Sequence, residues 1–305
     1  MSTRARRAAV AIAVLLAGGC ACAADTPKLT VCMAENNPPL SYRVAGDSRG
    51  LDVRVAEAIA TELHRALEVV PFESKYEHES TLSQEVNALL SSGVCDMASG
   101  FALLAGDLGP PGRPTARVPD YPGAKRPPQR PWVPLGTLVA SRPYHAMAMA
   151  LVVRDPARQT ATLADLGDAR IGVVSGTLAG TAVSLYRNGK LRDRIVSLAQ
   201  NQNVLEELEA GQFDATLVAL DRLDAWRLAH PGSMLRRAAY THPLRINIGF
   251  VALAAELVAA ADRAIGRAAA NGDLQRWSEQ TGTTWVAPVE PAVAATIGLP
   301  DLVRE

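Results

Sequence analysis

Apolar positions along this chain fall into two alternating patterns, short continuous runs and residues three or four apart. The run "LTVCMA" (29–34) enters the turn-rich "ENNPPLSY" and reads as a buried strand. After Gly50, Val55, Ile59 and Leu63 recur at helical spacing with Ala56 and Ala60 beside them, which predicts an amphipathic helix within "LDVRVAEAIATELHRALEV". "LEVVPF" supplies a second strand. Leu82, Val86, Leu89 and Leu90 line another helix that stops at Gly93, where a glycine cap is expected, and "CDMAS" reads as the third strand. Strand, helix, strand, helix, strand at this spacing predicts a parallel sheet with crossover helices.

A second alternating unit begins after "RPYHAMAMALVVR". "ARIGVVSGT" is strand then turn, "LAGTAVSLYRNG" a helix ending at Gly189, and "IVSLA" a strand. "NVLEELEAG" is a helix closed by Gly211, "FDATLVAL" a strand and "DRLDAWRLAH" a helix. "LRINIGFVAL" is a long strand of the kind that crosses back to the first unit, and helices follow over 256–271 and 273–281. Two stretches fit neither pattern. Residues 106–134 are so dense in Pro, Gly and Arg that no regular element is expected there. The tail after Trp285 is Pro- and Ala-rich, with no evident role. No internal repeat is detectable.

Composition changes this picture mainly at the N-terminus. The 305 residues are 20% charged and 48% hydrophobic, which suits one large or two modest globular domains. "MSTRARR" is a basic head, "AAVAIAVLLAGG" a short apolar core and "ACA" a small-x-small cleavage site, so residues 1–23 read as a secretory signal peptide. The residues before Cys20 and Cys22 match a lipobox poorly, which makes a lipid anchor the lesser alternative. Cleavage after Ala23 removes Arg4, Arg6 and Arg7 and no acid, taking the formal charge from 0 to −3. Nucleic-acid binding is excluded on that balance. Of four cysteines, Cys32 and Cys95 remain, and in an oxidising compartment two lone cysteines are expected to form a structural disulfide. His64, His78, His145, His230 and His242 are scattered and none has metal-ligand spacing, so no metal or cofactor is expected. No Gly-x-Ser-x-Gly elbow, phosphate loop or dinucleotide fingerprint is present.

Several segments in the same order carry a family resemblance. They are "LTVCMAENNPPLSY", "NALLSSGVCDMASG", "ASRPYHAMAMALVV", "IGVVSGT", "GQFDATLVALD" and "LQRWSEQTG". Together they resemble the type II periplasmic solute-binding proteins, specifically the bacterial extracellular solute-binding protein family 3, which includes the amino-acid-binding proteins of ABC importers. The resemblance covers nearly the whole chain after residue 23. It implies a two-lobed α/β fold with lobe 2 inserted into lobe 1 through two hinge strands, near 149–153 and 245–251. Lobe 1 would take residues 24–150 with an insertion at 106–134, and lobe 2 residues 151–246. The chain would return to lobe 1 over 247–285 and end in a tail, 286–305. The cysteine pair is similar to that of accessory binding-type proteins found with periplasmic quinoprotein alcohol and methanol dehydrogenases.

The resemblance also implies where a ligand would sit. An amino-acid binder of this family holds the α-carboxylate on a lobe 1 arginine and the ammonium on a lobe 2 aspartate. Here the arginine position falls near Leu108, and Phe101, Ala102, Leu103 and Leu104 replace the polar residues before it. The aspartate position falls on Ala219, with Asp221 two residues on, and the first-loop aromatic position falls on Asn37, with Tyr42 close by. Arg113, Arg117, Arg126 or Arg130 of the insertion could supply a guanidinium from elsewhere. The candidate ligand residues are therefore Asn37, Tyr42, Gly100, Phe101, Leu103, Gly176, Thr177 and Asp221. Gly176 and Thr177 could hold an acceptor at a helix start or simply cap the helix. Asp221 could bind a ligand or only favour its helix start. Tyr144 reads as packing at the hinge.

These features predict a monomeric periplasmic protein that captures a small, non-zwitterionic solute for an ABC permease. The alternative is an interaction protein of a quinoprotein dehydrogenase and its cytochrome c that binds no solute. Some relatives of the fold are cyclohexadienyl dehydratases, but such chemistry needs a general acid beside a carboxylate-binding arginine, so no enzyme is expected.

Overall fold

The computed structural model describes residues 26–74, 80–125, 129–155 and 160–304. The expected signal peptide and Arg126 lie outside the described residues. Lobe 1 opens with β1 (Lys28–Ala34), a small meander of β2 (Asn36–Asn37), β3 (Ser41–Val44) and β4 (Asp47–Arg49), and helix α1 (Leu51–Glu62). It continues with β5 (Ala66–Phe72), α2 (Leu82–Ser91), β6 (Met97–Ala102), β7 (Thr115–Arg117), β8 (Trp132–Pro134) and β9 (Val139–Ala140). Strand β10 (His145–Val153) leads to lobe 2, formed by β11 (Ile171–Val174), α3 (Leu178–Leu185), β12 (Ile195–Leu198), α4 (Val204–Glu209), β13 (Ala215–Ala219) and α5 (Leu220–Ala229). Strand β14 (Arg236–Ala252) returns, and α6 (Ala255–Ala270), α7 (Asp273–Thr281) and α8 (Leu299–Leu302) complete the chain.

The two lobes share one continuous sheet, ordered β12-β11-β13-β10-β14-β6-β1-β5. Its outer thirds are parallel, as the strand–helix alternation predicts, while β10 and β14 run antiparallel through the middle. Strand β14 is 17 residues long because it belongs to both halves: it pairs β10 at its start and β6 at its end. The β10–β14 register slips between Ala148 and Val152, and the β14–β6 register between Gly249 and Val251. Such irregularities bend and twist a strand, and these fall where the expected hinge lies.

Each lobe buries apolar residues on both faces of its sheet. In lobe 1, α1 and α6 cover one face through Leu51, Val55, Ile59, Leu257 and Ile265, while α2 covers the other through Val86 and Leu89. Gly50, at φ 120°, precedes α1 because any Cβ there would strike the Leu40 carbonyl. Cys32 on β1 is bonded to Cys95, with the Cα atoms 5.7 Å apart. Cys95 sits in the turn before β6 rather than inside the strand, and the bridge ties the end of α2 to the sheet. Beside it, the Asp96 carboxylate accepts bonds from Thr30 N and Thr30 Oγ1, both at 2.9 Å.

One expectation is overturned. The Pro/Gly/Arg-rich insertion does hold regular structure: β7 and β8 form an antiparallel hairpin whose Ala116, Val118 and Val133 enter the core under α2. Arg130 is its internal fastener, buried to 8% exposure, ion-paired with Asp120 and donating to the carbonyls of Lys125 and Val118. Burial from tertiary packing outweighs the poor local propensity.

The tail also has a definite place. It crosses behind the hinge, where the Asn247 amide donates to the carbonyls of Val289 and Ala292 at 2.7 and 3.0 Å. Ala294 N donates to Leu103 O on the lobe 1 side. The tail then reaches lobe 2, where Leu302 is buried among Leu163 and Tyr186 and its carbonyl meets His242 Nε2 at 3.1 Å. Replacing Leu302 with Ala should cost about 2 kcal/mol, the low end for a buried leucine at a chain terminus. Hydrogen exchange should show the effect confined to tail and lobe 2 amides; equal exposure of lobe 1 strands would contradict this placement.

Candidate functional site

The lobes face each other across a cleft with two chambers that meet at Met147 of β10. The lobe 1 chamber, about 680 Å³, is walled by the ends of β1, β5 and β6, the start of α2 and the meander. The lobe 2 chamber, about 390 Å³, lies between the starts of α3 and α5, the end of β13 and the two hinge strands. Both volumes suit a small organic ligand.

At the floor of the lobe 1 chamber is a buried polar cluster that sequence reasoning missed. Asp52, in the first turn of α1, is 1% exposed. Its carboxylate accepts from Tyr144 Oη at 2.6 Å and Ser99 Oγ at 2.8 Å, while Gly100 N donates to Tyr144 Oη at 3.2 Å. Burial pushes the Asp52 carboxyl up to about 6, against the opposing pull of the Tyr144 and Ser99 hydroxyls. Burial and the neighbouring Asp52 charge hold the Tyr144 phenol well above its ordinary range. The three residues are distant in sequence, so only a helix start, a strand end and a hinge entry brought together by the fold reveal them.

The chamber walls have an unequal charge. Glu35, Asp52, Glu73, Asp107 and Asp221 line the lobe 1 chamber, with no Arg or Lys among its described lining residues. Glu35 is paired with Arg43 at 3.2 Å and Asp107 accepts from Ser83 Oγ at 2.6 Å. Asp221, in the first turn of α5, reaches across from lobe 2; burial raises its carboxyl, offset in part by the backbone N–H of Arg222.

The candidate residues divide. Asn37, Gly100, Phe101 and Asp221 line the lobe 1 chamber and Thr177 the lobe 2 chamber. Leu103 does not face the cleft: it is fully buried in the core behind it, against Gly249. Phe101 lies within β6, whereas Leu103 lies just past its end at Ala102, where strand alternation no longer sets the direction of a side chain. Tyr42 pairs with Asn36 and Arg49 in the meander and lines neither chamber. Gly176, at φ 78°, lines neither, but a Cβ there would lie 2.7 Å from the Gln200 side-chain nitrogen. Thr177 caps α3: its hydroxyl accepts from Gly180 N at 3.0 Å and donates to Val174 O at 2.9 Å.

None of the described insertion arginines lines either chamber. Arg130 is held by Asp120, and Arg117 lies over the Trp132 ring at 4.8 Å. The guanidinium that does line the cleft is Arg222, on lobe 2. It carried no sequence signal beyond its place after Asp221.

No protein-family model matches this chain, and no curated protein sequence matches it. Solved structures do. The chain is similar to the second substrate-binding domain of a putative amino acid ABC transporter from Streptococcus pneumoniae, with a TM-score of 0.58 and 16% identity over 83% of this chain and 99% of that one. It is similar to substrate-binding domain 2 of Lactococcus lactis GlnP in its open conformation, with a TM-score of 0.60 and 13% identity over 84% and 95%. It is also similar to the unliganded, open L-cystine solute receptor of Neisseria gonorrhoeae, with a TM-score of 0.59 and 18% identity over 86% and 96%. The fold is that of the two-lobed type II periplasmic binding proteins.

Proposed function

We propose that this chain, carrying the type II binding-protein fold, is the periplasmic solute receptor of an ABC-type importer and takes a small molecule other than a free α-amino acid. The observation that carries this reading is the two-chambered interlobe cleft, whose lobe 1 wall offers acids and no guanidinium among its described residues. A zwitterion placed in the usual orientation would leave its carboxylate desolvated and facing like charge, at a cost of several kcal/mol. Structures of similar fold are named as substrate-binding domains of amino acid transporters and as an L-cystine receptor, which supports capture between the lobes.

The test is a thermal-shift screen of the oxidised protein over amino acids, small carboxylates, amines, alcohols and sugars. A ligand at a hundred times its Kd should stabilise the protein by about 2.7 kcal/mol, a shift of several degrees. Strong hits among free α-amino acids would refute the ligand class, and silence across the whole screen would refute the receptor reading.

A second reading, a partner protein of a periplasmic quinoprotein dehydrogenase and its cytochrome c, draws on the insertion hairpin. Trp132 is 47% exposed there with the Arg117 guanidinium over its ring, and tryptophan and arginine dominate protein-interface energetics. Binding to the purified dehydrogenase that Trp132→Ala abolishes would favour this role; equal binding by the variant would remove the hairpin from it.

A further inference from the structure

The lobe 2 chamber differs in kind from its neighbour. Its lining includes Met149, Val204, Leu217, Leu244 and Ile246, and contains no aspartate or glutamate. Its polar members are few and mostly committed. The Thr177 hydroxyl caps α3, and the Thr216 hydroxyl donates to Gly172 O at 2.8 Å. What remains for a ligand is the side-chain amide of Gln200 and the guanidinium of Arg222. Among the described residues, the Arg222 guanidinium makes no ion pair or hydrogen bond. The nearby Asp221 carboxylate accepts from the Arg222 backbone N–H at 2.9 Å and also feels the Arg222 charge, which pulls its carboxyl down against the effect of burial.

We infer that the ligand is an apolar-bodied monocarboxylate whose hydrocarbon or aromatic part fills the lobe 2 chamber and whose carboxylate pairs with Arg222, with Gln200 as a second donor. This rests on the receptor reading and adds the ligand class. An apolar chamber of this size favours a hydrocarbon body, and a planar guanidinium whose N–H groups are not engaged by a described side chain, and whose charge reaches only Asp221, suits a carboxylate by two parallel hydrogen bonds. The acid-lined lobe 1 wall then acts as a filter. A second carboxylate projecting into it would meet Glu73, Asp107 and Asp221, so dicarboxylates are rejected. The charge anchor is thus on lobe 2, the opposite lobe to the one the sequence resemblance implied.

The experiment is calorimetric titration of the oxidised protein with three probes of one skeleton: 3-phenylpropionate, 3-phenylpropylamine and 3-phenyl-1-propanol. The acid should bind about tenfold or more tighter than the alcohol, as expected for hydrogen bonds to a charged group, and the amine, whose ammonium would stand against Arg222, should give no heat. Arg222→Gln should bring acid binding down to the level of the alcohol and leave the alcohol unchanged. Leu178→Asp, at an exposed position on the chamber rim, should weaken the acid in the same sense without touching the core. An amine or alcohol that binds as well as the acid would overturn the inference, and so would an Arg222→Gln variant with unaltered acid affinity. If the three probes are silent while a polar solute from the wider screen binds, the ligand class fails and the receptor reading stands. If no solute of any class binds the folded protein, the receptor reading fails as well.

Discussion

Reducing the Cys32–Cys95 bridge should destabilise the protein by about 4 kcal/mol and lower its Tm by on the order of 10 °C. The bridge closes a span of 63 residues that contains α1, β5 and α2. Without it, the unfolded chain regains the freedom of that loop, and the folded state loses the tie between the end of α2 and β1. Both sulfurs lie in the apolar layer with Val86, Leu89 and Val251, so a Cys32→Ser, Cys95→Ser variant adds the cost of burying two hydroxyls and should be the less stable form. Thermal unfolding of oxidised, reduced and doubly substituted protein would give the order. A reduced form within a degree or two of the oxidised one would mean that the unfolded ensemble already holds these segments together.

The second large effect concerns pH, and its sign differs between two buried groups. Asp52 has its carboxyl raised to about 6 by burial, so the folded state holds this proton more tightly than the unfolded chain. The stability linked to it is fully present below the unfolded value near 4 and is lost as pH rises through 6. His145, on β10, is pushed down to about 4, again by burial, partly countered by a backbone hydrogen bond with Val286. Its contribution runs the other way: present above about 6.5, lost as pH falls towards 4. Each shift corresponds to about 3 kcal/mol, so the two nearly cancel between pH 4 and 6.5. Burial also raises Asp221 and Asp224 and lowers His242, which add to either side.

Substitution separates the opposing contributions. Relative to the wild type, Asp52→Asn should lose about 3 kcal/mol more between pH 7 and 4, because the histidine then acts unopposed. His145→Gln should instead gain on acidification, with Gln placed to accept from Val286 N as His145 Nδ1 does at 3.2 Å. Urea unfolding at a series of pH values, read as variant minus wild type, isolates each group. Parallel curves for wild type and Asp52→Asn would show that Asp52 titrates normally in the folded protein.

Much of the fold could be read from the chain because its elements satisfy local rules. The helix expected over 256–271 is Ala255–Ala270, and the next, Asp273–Thr281, is as expected. The features that could not be read depend on distant partners. Strands β7 and β8 are three residues each and exist because α2 supplies a surface for Ala116 and Val133. The tail has no periodicity, since its order comes from Asn247, Leu103 and His242 elsewhere. In the cleft, Asn37, Phe101, Thr177 and Asp221 fall on the lining, but Leu103 does not, because the strand that orients Phe101 ends at Ala102 and the chain beyond it turns into the core. Asp52 carried no local signal: a carboxylate at a helix start reads as a cap until Tyr144, 92 residues away, is seen to donate to it.

The course of the tail has a practical consequence. The described chain begins on lobe 1 at β1 and ends on lobe 2, where α8 is anchored by Leu302. A donor fluorophore near residue 26 and an acceptor after Arg304 would therefore ride on opposite jaws. Under the proposed receptor role, their energy transfer would follow closure in real time and report the binding of a ligand.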